Sequence, residues 1–318
     1  MKEDKREDGF DPARRQAVAG LGLGAGAAAF MAGSASAQDD VDAIQRGARG
    51  QMNPEGSADT SLADQRTALS GKVAIVTGAR ANIGRGIAIG LAQMGADVLV
   101  HYHREETADQ ARETARLCRE AGAENVALAV GDLGQQANVT QMFDVAEERL
   151  GGADILVNNA GAMVKKPLME VTNEEYLRTW NINEWGTFLC MREGAQRLRR
   201  DGRIINIVTA MVPSITANYA AYAGPKAANA HLVKTLSAEI GGDERRITVN
   251  SVHPGPIDTP FYRAPESDEA IEYATNLANL NRLGRVDDVV PLVQFLASPA
   301  SAWVSGESLF VSGGYTQG

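Results

Sequence analysis

The run from Thr77 to Gly84 has the residue types of a phosphate-binding turn. Gly78 and Gly84 would let the chain turn tightly and bring its backbone close to a pyrophosphate, whose charge would rest on the N-terminus of the following helix. Many turns between a strand and a helix need glycine for steric reasons alone. The position of this turn after the first predicted strand favours the functional interpretation.

Further polar residues follow other apolar runs. In chain order they are Asn158 to Gly161, Asn183, Thr209, Tyr222 with Lys226, and Pro254 to Thr259. Tyr222 and Lys226 are four residues apart, so both side chains lie on one face of a helix, although such a pair alone could be a solvated one. A metal site is not expected, because the four histidines are scattered without HExxH spacing and the chain has only two cysteines.

Seven short apolar runs are predicted as the strands that must position these groups. They are residues 73–77, 97–101, 125–130, 155–158, 203–208, 248–253 and 308–311, with helical patterns between them, for example 83–94, 107–121, 139–150 and 227–240. This alternation predicts an α/β fold with one doubly wound parallel sheet over residues 70–318. In such sheets ligands bind at the carboxyl ends of the strands. Because Pro225 cannot donate a hydrogen bond in a helix interior, the helix carrying Tyr222 is predicted to begin near that residue, with Pro225 in its first turn.

The composition is that of an ordinary globular protein. The chain has 318 residues, of which 44% are hydrophobic and 22% charged. Its 40 acidic and 31 basic residues leave a net charge of −9, which would repel nucleic acid and anionic lipid. We therefore expect a small-molecule substrate and no nucleic-acid partner.

The first 37 residues are predicted to be an export signal. Arg14-Arg15 precede an uncharged run that ends in Ala35-Ser36-Ala37, the small-residue pattern of a signal-peptidase site, and the segment resembles a twin-arginine signal. An uncleaved membrane anchor and a disordered tail are the alternatives, but five glycines make a poor membrane span. Residues 38–69 are interpreted as a linker. The expected location is the periplasm or another exported one, and the cytoplasm if the signal does not function.

Taken together, the ordered turns resemble the short-chain dehydrogenase/reductase family over about residues 70–315, including the closing Gly306-Glu307 and Gly313-Gly314. The resemblance implies an oxidoreductase with a catalytic tetrad of Asn183, Thr209, Tyr222 and Lys226. It makes Tyr222 the general acid/base at the substrate oxygen of a ketone or secondary alcohol while hydride moves at a nicotinamide.

The same resemblance assigns roles to the other three residues of the tetrad. The positive charge of Lys226 would lower the pKa of the Tyr222 phenol, which is ordinarily about 10. Asn183 would order water that feeds a proton relay. Thr209 stands where the family usually has serine and keeps the hydroxyl that would bond the substrate oxygen, with an added methyl that narrows the pocket.

The cofactor is expected to be NADP, with NAD as the alternative. NAD-dependent members place an acidic residue at the end of the second strand, and this chain has Tyr102 there, between His101 and His103 and followed by Arg104. Arg80 and Arg104 could converge on a 2′-phosphate. Asn82 replaces a family glycine but tolerates left-handed backbone. The residues assigned to the nucleotide are Gly78, Arg80, Asn82, Ile83, Gly84, His101, His103, Arg104, Asp132, Leu133, Asn159, Ala160, Gly161, Tyr222, Lys226, Pro254, Gly255, Ile257 and Thr259.

A substrate pocket that is mostly apolar is expected to take a neutral, moderately apolar ketone or secondary alcohol. Its predicted walls are Met163, Val164, Ala210 to Pro213, Trp185, Tyr219 and the segment from Pro260 to Arg282. The alternative function is a nucleotide-binding sensor or partner protein that kept the fold and lost turnover. Family members pair through helices corresponding to residues 187–198 and 227–240, so a homodimer or homotetramer is expected. Cys118 and Cys190 are predicted to be buried thiols on opposite faces of the sheet.

Overall fold

A computed structural model describes residues 66–214, 216–242 and 244–315. They contain a seven-stranded sheet with all neighbouring strands parallel, in the order β3-β2-β1-β4-β5-β6-β7. The strands are β1 (Val73–Val76), β2 (Asp97–Tyr102), β3 (Val126–Val130), β4 (Ile155–Asn158), β5 (Arg203–Ile207), β6 (Thr248–Pro254) and β7 (Ser308–Val311). The order reverses between β1 and β4, which is the point where doubly wound sheets bind ligands.

Helices cover both faces of the sheet. They are α1 (Asn82–Gln93), α2 (Ala108–Ala121), α3 (Gln136–Leu150), α4 (Asn173–Trp180), α5 (Gly186–Arg197), α6 (Ala220–Ile240), α7 (Pro260–Arg263), α8 (Asp268–Leu277) and α9 (Val286–Ala297). Short 3₁₀ turns occur at Glu105–Thr107, Leu168–Glu170 and Pro299–Ser301, and a π-helical turn, Asn181–Trp185, joins α4 to α5. None of the helices within the described ranges is both long and apolar enough to cross a membrane.

The strands are continuous apolar runs because each is buried on both faces. Successive side chains point to opposite sides of a strand. In β1, Ala74 and Val76 accordingly belong to one core, with residues of α1, α2 and α9, whereas Ile75 belongs to the other, with residues of α3, α5 and α6. The predicted α/β fold is confirmed, with strand ends within one residue of the predicted ones.

The two cysteines are buried in different cores, as predicted. Cys118 lies in the core on the α1 side and Cys190 in the core on the α5 side, and both are free thiols. Burial raises the pKa of the Cys118 thiol to about 12 and also raises that of Cys190. The two thiols are therefore structural groups rather than nucleophiles.

The predicted start of α6 near Tyr222 is confirmed, but the predicted place of Pro225 in its first turn is wrong. The helix begins at Ala220, and Pro225 lies inside it rather than in its first turn. The backbone carbonyl of Tyr219 accepts from the N–H of both Tyr222 (3.0 Å) and Ala223 (2.7 Å), so the first turn is closed before the proline. The missing donor of Pro225 therefore falls in the second turn.

Residues of the predicted linker also contact this domain. Leu69 is only 1% exposed within the core on the α1 side, and its N–H donates to the carbonyl of Met94 at 2.9 Å. The predicted signal, residues 1–37, and the linker up to residue 65 lie outside the described residues.

Candidate active site

A cleft with a volume of about 510 Å³ lies at the carboxyl ends of the strands, around the point where the strand order reverses. It has the size of a small-molecule site. The cleft is lined by every residue that the sequence analysis assigned to the nucleotide and by three members of the tetrad, Thr209, Tyr222 and Lys226. These positions, spread over 182 residues of sequence from Gly78 to Thr259, are brought together by the parallel topology.

The glycine-rich turn packs closely against the turn after β4. Gly78 has φ +63°, and a Cβ added there would lie 2.9 Å from the Cα of Ala160. Asn82 has φ +53°, the left-handed conformation that its replacement of glycine required. The Thr77 hydroxyl accepts from the N–H groups of Asn159 (2.9 Å) and Ala160 (3.0 Å), which ties this turn to the turn after β4. The two turns thus form one wall of the cleft.

His101 is a neutral bridge rather than a cation. Its ring is 2% exposed, with Nδ1 accepting from the N–H of Gly78 at 3.2 Å and Nε2 lying 3.0 Å from the carbonyl oxygen of Gly131. A carbonyl can only accept, so Nε2 carries the proton. Burial lowers the pKa of His101 to about 4. Of the two histidines assigned to the nucleotide, only His103 is exposed and can present a basic ring.

At the end of β2 the cleft presents basic side chains and no carboxylate of the strand itself. His103 and Arg104 are exposed and line the cleft, as does Arg80, whose guanidinium donates to the side-chain oxygen of Gln110. Tyr102, at the position of the usual acid, is 5% exposed and donates its hydroxyl to the exposed Glu105 at 3.2 Å. Because Glu105 does not line the cleft and His103 and Arg104 do, this end of the cleft suits a phosphate.

Asp132 and Leu133 line the cleft after β3. The Asp132 carboxylate accepts from the N–H of Gly134 at 3.0 Å, and its backbone carbonyl accepts from the Asn138 side chain at 3.0 Å. These bonds hold the loop in one conformation while Asp132 stays partly exposed.

Thr209, Tyr222 and Lys226 are buried at the cleft wall, each less than one-tenth exposed. Lys226 Nζ donates to the carbonyl of Ile207, the last residue of β5, at 2.7 Å. The Thr209 hydroxyl accepts from the N–H of Met211 at 3.3 Å and shares a hydrogen bond with the Tyr222 phenol. The strand end and one face of α6 therefore position the three groups together.

Burial controls the protonation of the pair. It raises the pKa of Tyr222 to about 12, an effect partly offset by the hydrogen bond with Thr209, and it lowers the pKa of Lys226 to about 8. The predicted acidification of Tyr222 by Lys226 is therefore not the dominant effect in the protein without nucleotide. Near neutral pH the phenol keeps its proton and the lysine is charged.

Asn183 lies behind the cleft rather than in its wall. It is fully buried, its Oδ1 accepts from the N–H of Ala162 at 2.9 Å, and its Nδ2 donates to the carbonyl of the same residue at 2.7 Å. Its backbone carbonyl accepts from the Thr187 hydroxyl at 3.0 Å and from the side chain of Asn229. Both side-chain groups thus hold the loop after β4, and the ordering of water by Asn183 stays a prediction. Asn229 was missed, because nothing in its local sequence marks it.

The substrate side of the cleft is apolar and aromatic with one exposed cation. Its lining residues here are Met163, Arg178, Ile182, Ala210, Met211, Phe261, Tyr262 and Tyr315. Among the predicted wall residues, Val164, Val212, Pro213, Trp185 and Tyr219 are not in the lining, and of the predicted segment from Pro260 to Arg282 only Phe261 and Tyr262 line the cleft.

Trp185 fails as a wall residue because its ring stacks on Phe188 with centroids 5.5 Å apart and remains 43% exposed. Trp185 closes the π-helical turn, which local sequence does not announce. Arg178 and Ile182 were missed because their positions depend on that turn. Tyr315 was missed because its position depends on how the end of the chain packs. Across residues 66–214, 216–242 and 244–315, no three His, Cys, Asp or Glu side chains cluster as metal ligands would.

Comparison with known proteins shows the family of this chain. The sequence profile of a family described as Enoyl-(Acyl carrier protein) reductase matches residues 78–316. A short-chain type dehydrogenase/reductase of Picea abies is 40% identical over 255 residues, 77% of this chain and 93% of that protein. A chloroplastic NADPH-dependent aldehyde reductase-like protein of Arabidopsis thaliana is 36% identical over 271 residues, 81% of this chain and 99% of that protein.

Solved structures similar to this chain include oxidoreductases with bound NADP. A Burkholderia cenocepacia protein described as a dehydrogenase, with bound NADP, superposes with a TM-score of 0.75 at 35% identity, covering 79% of this chain and 96% of that one. An angucycline C-6 ketoreductase with bound NADP superposes with a TM-score of 0.73 at 33% identity, covering 78% and 96%. This chain, with its parallel sheet, its glycine-rich turn and its buried Tyr222 and Lys226, belongs to the short-chain dehydrogenase/reductase family.

Proposed function

We propose that the protein is an NADPH-dependent oxidoreductase that interconverts a neutral, moderately apolar ketone and its secondary alcohol. The observation that carries the proposal is that Thr209, Tyr222 and Lys226 line the same cleft as the glycine-rich turn and the exposed His103 and Arg104. The end of the cleft with Tyr222 suits proton transfer to an oxygen. The end with the glycine-rich turn suits a phosphorylated nucleotide.

The cleft fits a nicotinamide dinucleotide. Gly78 lines the cleft in the turn that leads into α1, where the helix N-terminus would receive a pyrophosphate, and its lack of a Cβ lets this turn pack against Ala160. His103 and Arg104 would hold the 2′-phosphate, and Lys226, Asn159 and Thr259 would hold the nicotinamide half. The bound nicotinamide supplies or accepts a hydride. Structures of two relatives with NADP support this choice over NAD, which remains the alternative.

Tyr222 is suited to act as the acid during reduction. Its pKa of about 12 means that the phenol holds its proton near neutral pH and can donate it to an oxygen that gains negative charge. Thr209, already in hydrogen bond with the phenol, can donate to or accept from the same oxygen. Lys226 is charged below about pH 8 and, anchored on Ile207, would stabilise the phenolate that results.

Replacing Tyr222 by Phe tests this function. We expect turnover of carbonyl substrates to fall by about 100-fold or more, because general acid catalysis contributes on that order. Binding of NADPH, followed by its fluorescence, should stay within about twofold. Turnover should be assayed with a panel of ketones in the presence of NADPH and of secondary alcohols in the presence of NADP⁺. A wild-type protein that binds NADPH but turns over no member of the panel would favour the alternative, a sensor that kept the fold.

We further propose export through the twin-arginine-like segment and assembly into a homodimer or homotetramer. Arg14-Arg15 and Ala35-Ser36-Ala37 support the first proposal. Because that route carries folded proteins, the nucleotide would travel bound. A mature N-terminus at Gln38, lost when both arginines are replaced by lysine, is the expected result. The exposed Trp185 beside α5 supports assembly through α5 and α6, which light scattering of the purified protein would test.

A further inference from the structure

Glu266 is a buried carboxylate on the substrate side of the cleft. It lies between α7 and α8, and its side chain is 2% exposed. Its Oε2 accepts from Lys165 Nζ at 2.5 Å, and its Oε1 accepts from the phenol of Tyr219. Lys165 also lies over the Tyr219 ring, 5.5 Å from its centroid. A charge this deeply buried requires such partners, because an unpaired one would be strongly destabilising.

The three residues come from separate segments that flank the cleft. Lys165 lies in the loop after β4, two residues beyond the lining residue Met163. Tyr219 directly precedes α6 and its Tyr222. Glu266 follows α7, which carries the lining residues Phe261 and Tyr262. The carboxylate is the point at which all three segments are joined.

Glu266 reaches Tyr222 by two routes. The backbone carbonyl of Tyr219 accepts from the N–H of Tyr222 at 3.0 Å, so the anchored Tyr219 fixes the first turn of α6. Phe261, five residues before Glu266, has its ring centroid 6.5 Å from that of Tyr222. Movement of α7 would therefore change the wall facing the phenol without touching the glycine-rich turn.

We propose that Glu266 is a positioning residue that holds the segment from Pro260 to Leu283 against the start of α6 and thereby sets affinity for the carbonyl substrate. This inference rests on the proposed function for its kinetic part. It assigns Tyr219, the second phenol near the site, an anchoring role, since its hydroxyl is committed to Glu266 and its ring does not line the cleft. Glu266, Lys165 and Tyr219 form the substrate anchor.

Glu266→Gln removes the charge of the anchor while keeping its shape. Glu272→Gln is the matched control, because Glu272 is exposed on α8 in the same segment. We expect the KM for a carbonyl substrate to rise about 10-fold in Glu266→Gln, with kcat within about threefold and the Kd for NADPH within about twofold, as loss of a buried charged contact predicts. Lys165→Met should give the same pattern and Lys165→Arg should restore most of it.

Hydrogen exchange of the intact protein provides a readout that needs no turnover. Amides of residues 260–283 should exchange faster in Glu266→Gln than in Glu272→Gln, while those of α1 should not change. Equal exchange in the two variants would overturn the anchor. Faster exchange with an unchanged KM, or parallel losses of kcat and NADPH binding, would overturn its role in substrate affinity. A wild-type protein without carbonyl turnover would refute the proposed function instead. The exchange data would still test whether Glu266 holds residues 260–283 in place.

Discussion

The buried charge of Lys226 should lower the free energy of unfolding of the protein. Its ammonium is buried to 4% exposure, and burial lowers its pKa from an ordinary 10.5 to about 8. At 1.36 kcal/mol per pH unit this difference corresponds to about 3 kcal/mol of destabilisation below pH 8. Replacement by Met removes that penalty but leaves the carbonyl of Ile207 without this donor, a loss of about 1–3 kcal/mol. The net expectation is a Lys226→Met variant that is inactive and up to about 2 kcal/mol more stable at pH 7.

The pH dependence gives the sharper test. Between pH 8 and 10.5 the unfolded chain binds a proton at Lys226 that the folded chain does not, so the stability of the wild type rises with pH in that window. The advantage of Lys226→Met should therefore shrink by about 2 kcal/mol between pH 7 and pH 9.5.

Urea denaturation at the two pH values measures this difference, and the slope m should not change. Lys234→Met is the control, because Lys234 is exposed on the same helix. A stability difference between Lys226→Met and wild type that is the same at both pH values would refute the reasoning. So would an advantage in stability of Lys226→Met over wild type that is larger at pH 9.5 than at pH 7.

Two further predictions concern the nucleotide. In Gly78→Ala the new Cβ would stand on a residue with φ +63° and lie 2.9 Å from the Cα of Ala160. Because the substitution imposes both backbone strain and a close contact on the turn, we expect the Kd for NADPH to rise about 10-fold or more, as measured by fluorescence titration. Gly71→Ala is the control, with φ +72° but nothing within 4 Å, and equal weakening in both variants would show that strain alone is responsible. Arg104→Ala should lose about 10-fold in affinity for NADPH and little for NADH, as loss of one charged hydrogen bond predicts. The exposed Arg112→Ala should change neither, and an unchanged NADPH-to-NADH ratio in Arg104→Ala would contradict a phosphate contact.

Local sequence was sufficient for the architecture and for the location of the cleft. Short apolar runs alternating with helical patterns determine a parallel sheet because each strand must be covered on both faces, as Ile75 and Val76 show by entering different cores. The glycine-rich turn and the spacing of Tyr222 and Lys226 are likewise local, since a turn and a helix face are defined by neighbours in the chain. The parallel topology then brings strand ends together without further information.

Only the tertiary structure decided the electrostatic state and the partners of individual side chains. His101 is neutral because Gly131, 30 residues away, accepts from its ring, and Asn183 is withdrawn from the cleft because Ala162 uses both of its side-chain groups. Glu266 meets Lys165 across 101 residues of chain. Burial and hydrogen-bond partners set the pKa values and the roles of side chains. Burial and partners in turn depend on which distant segments the fold packs together, and no local sequence pattern contains that information.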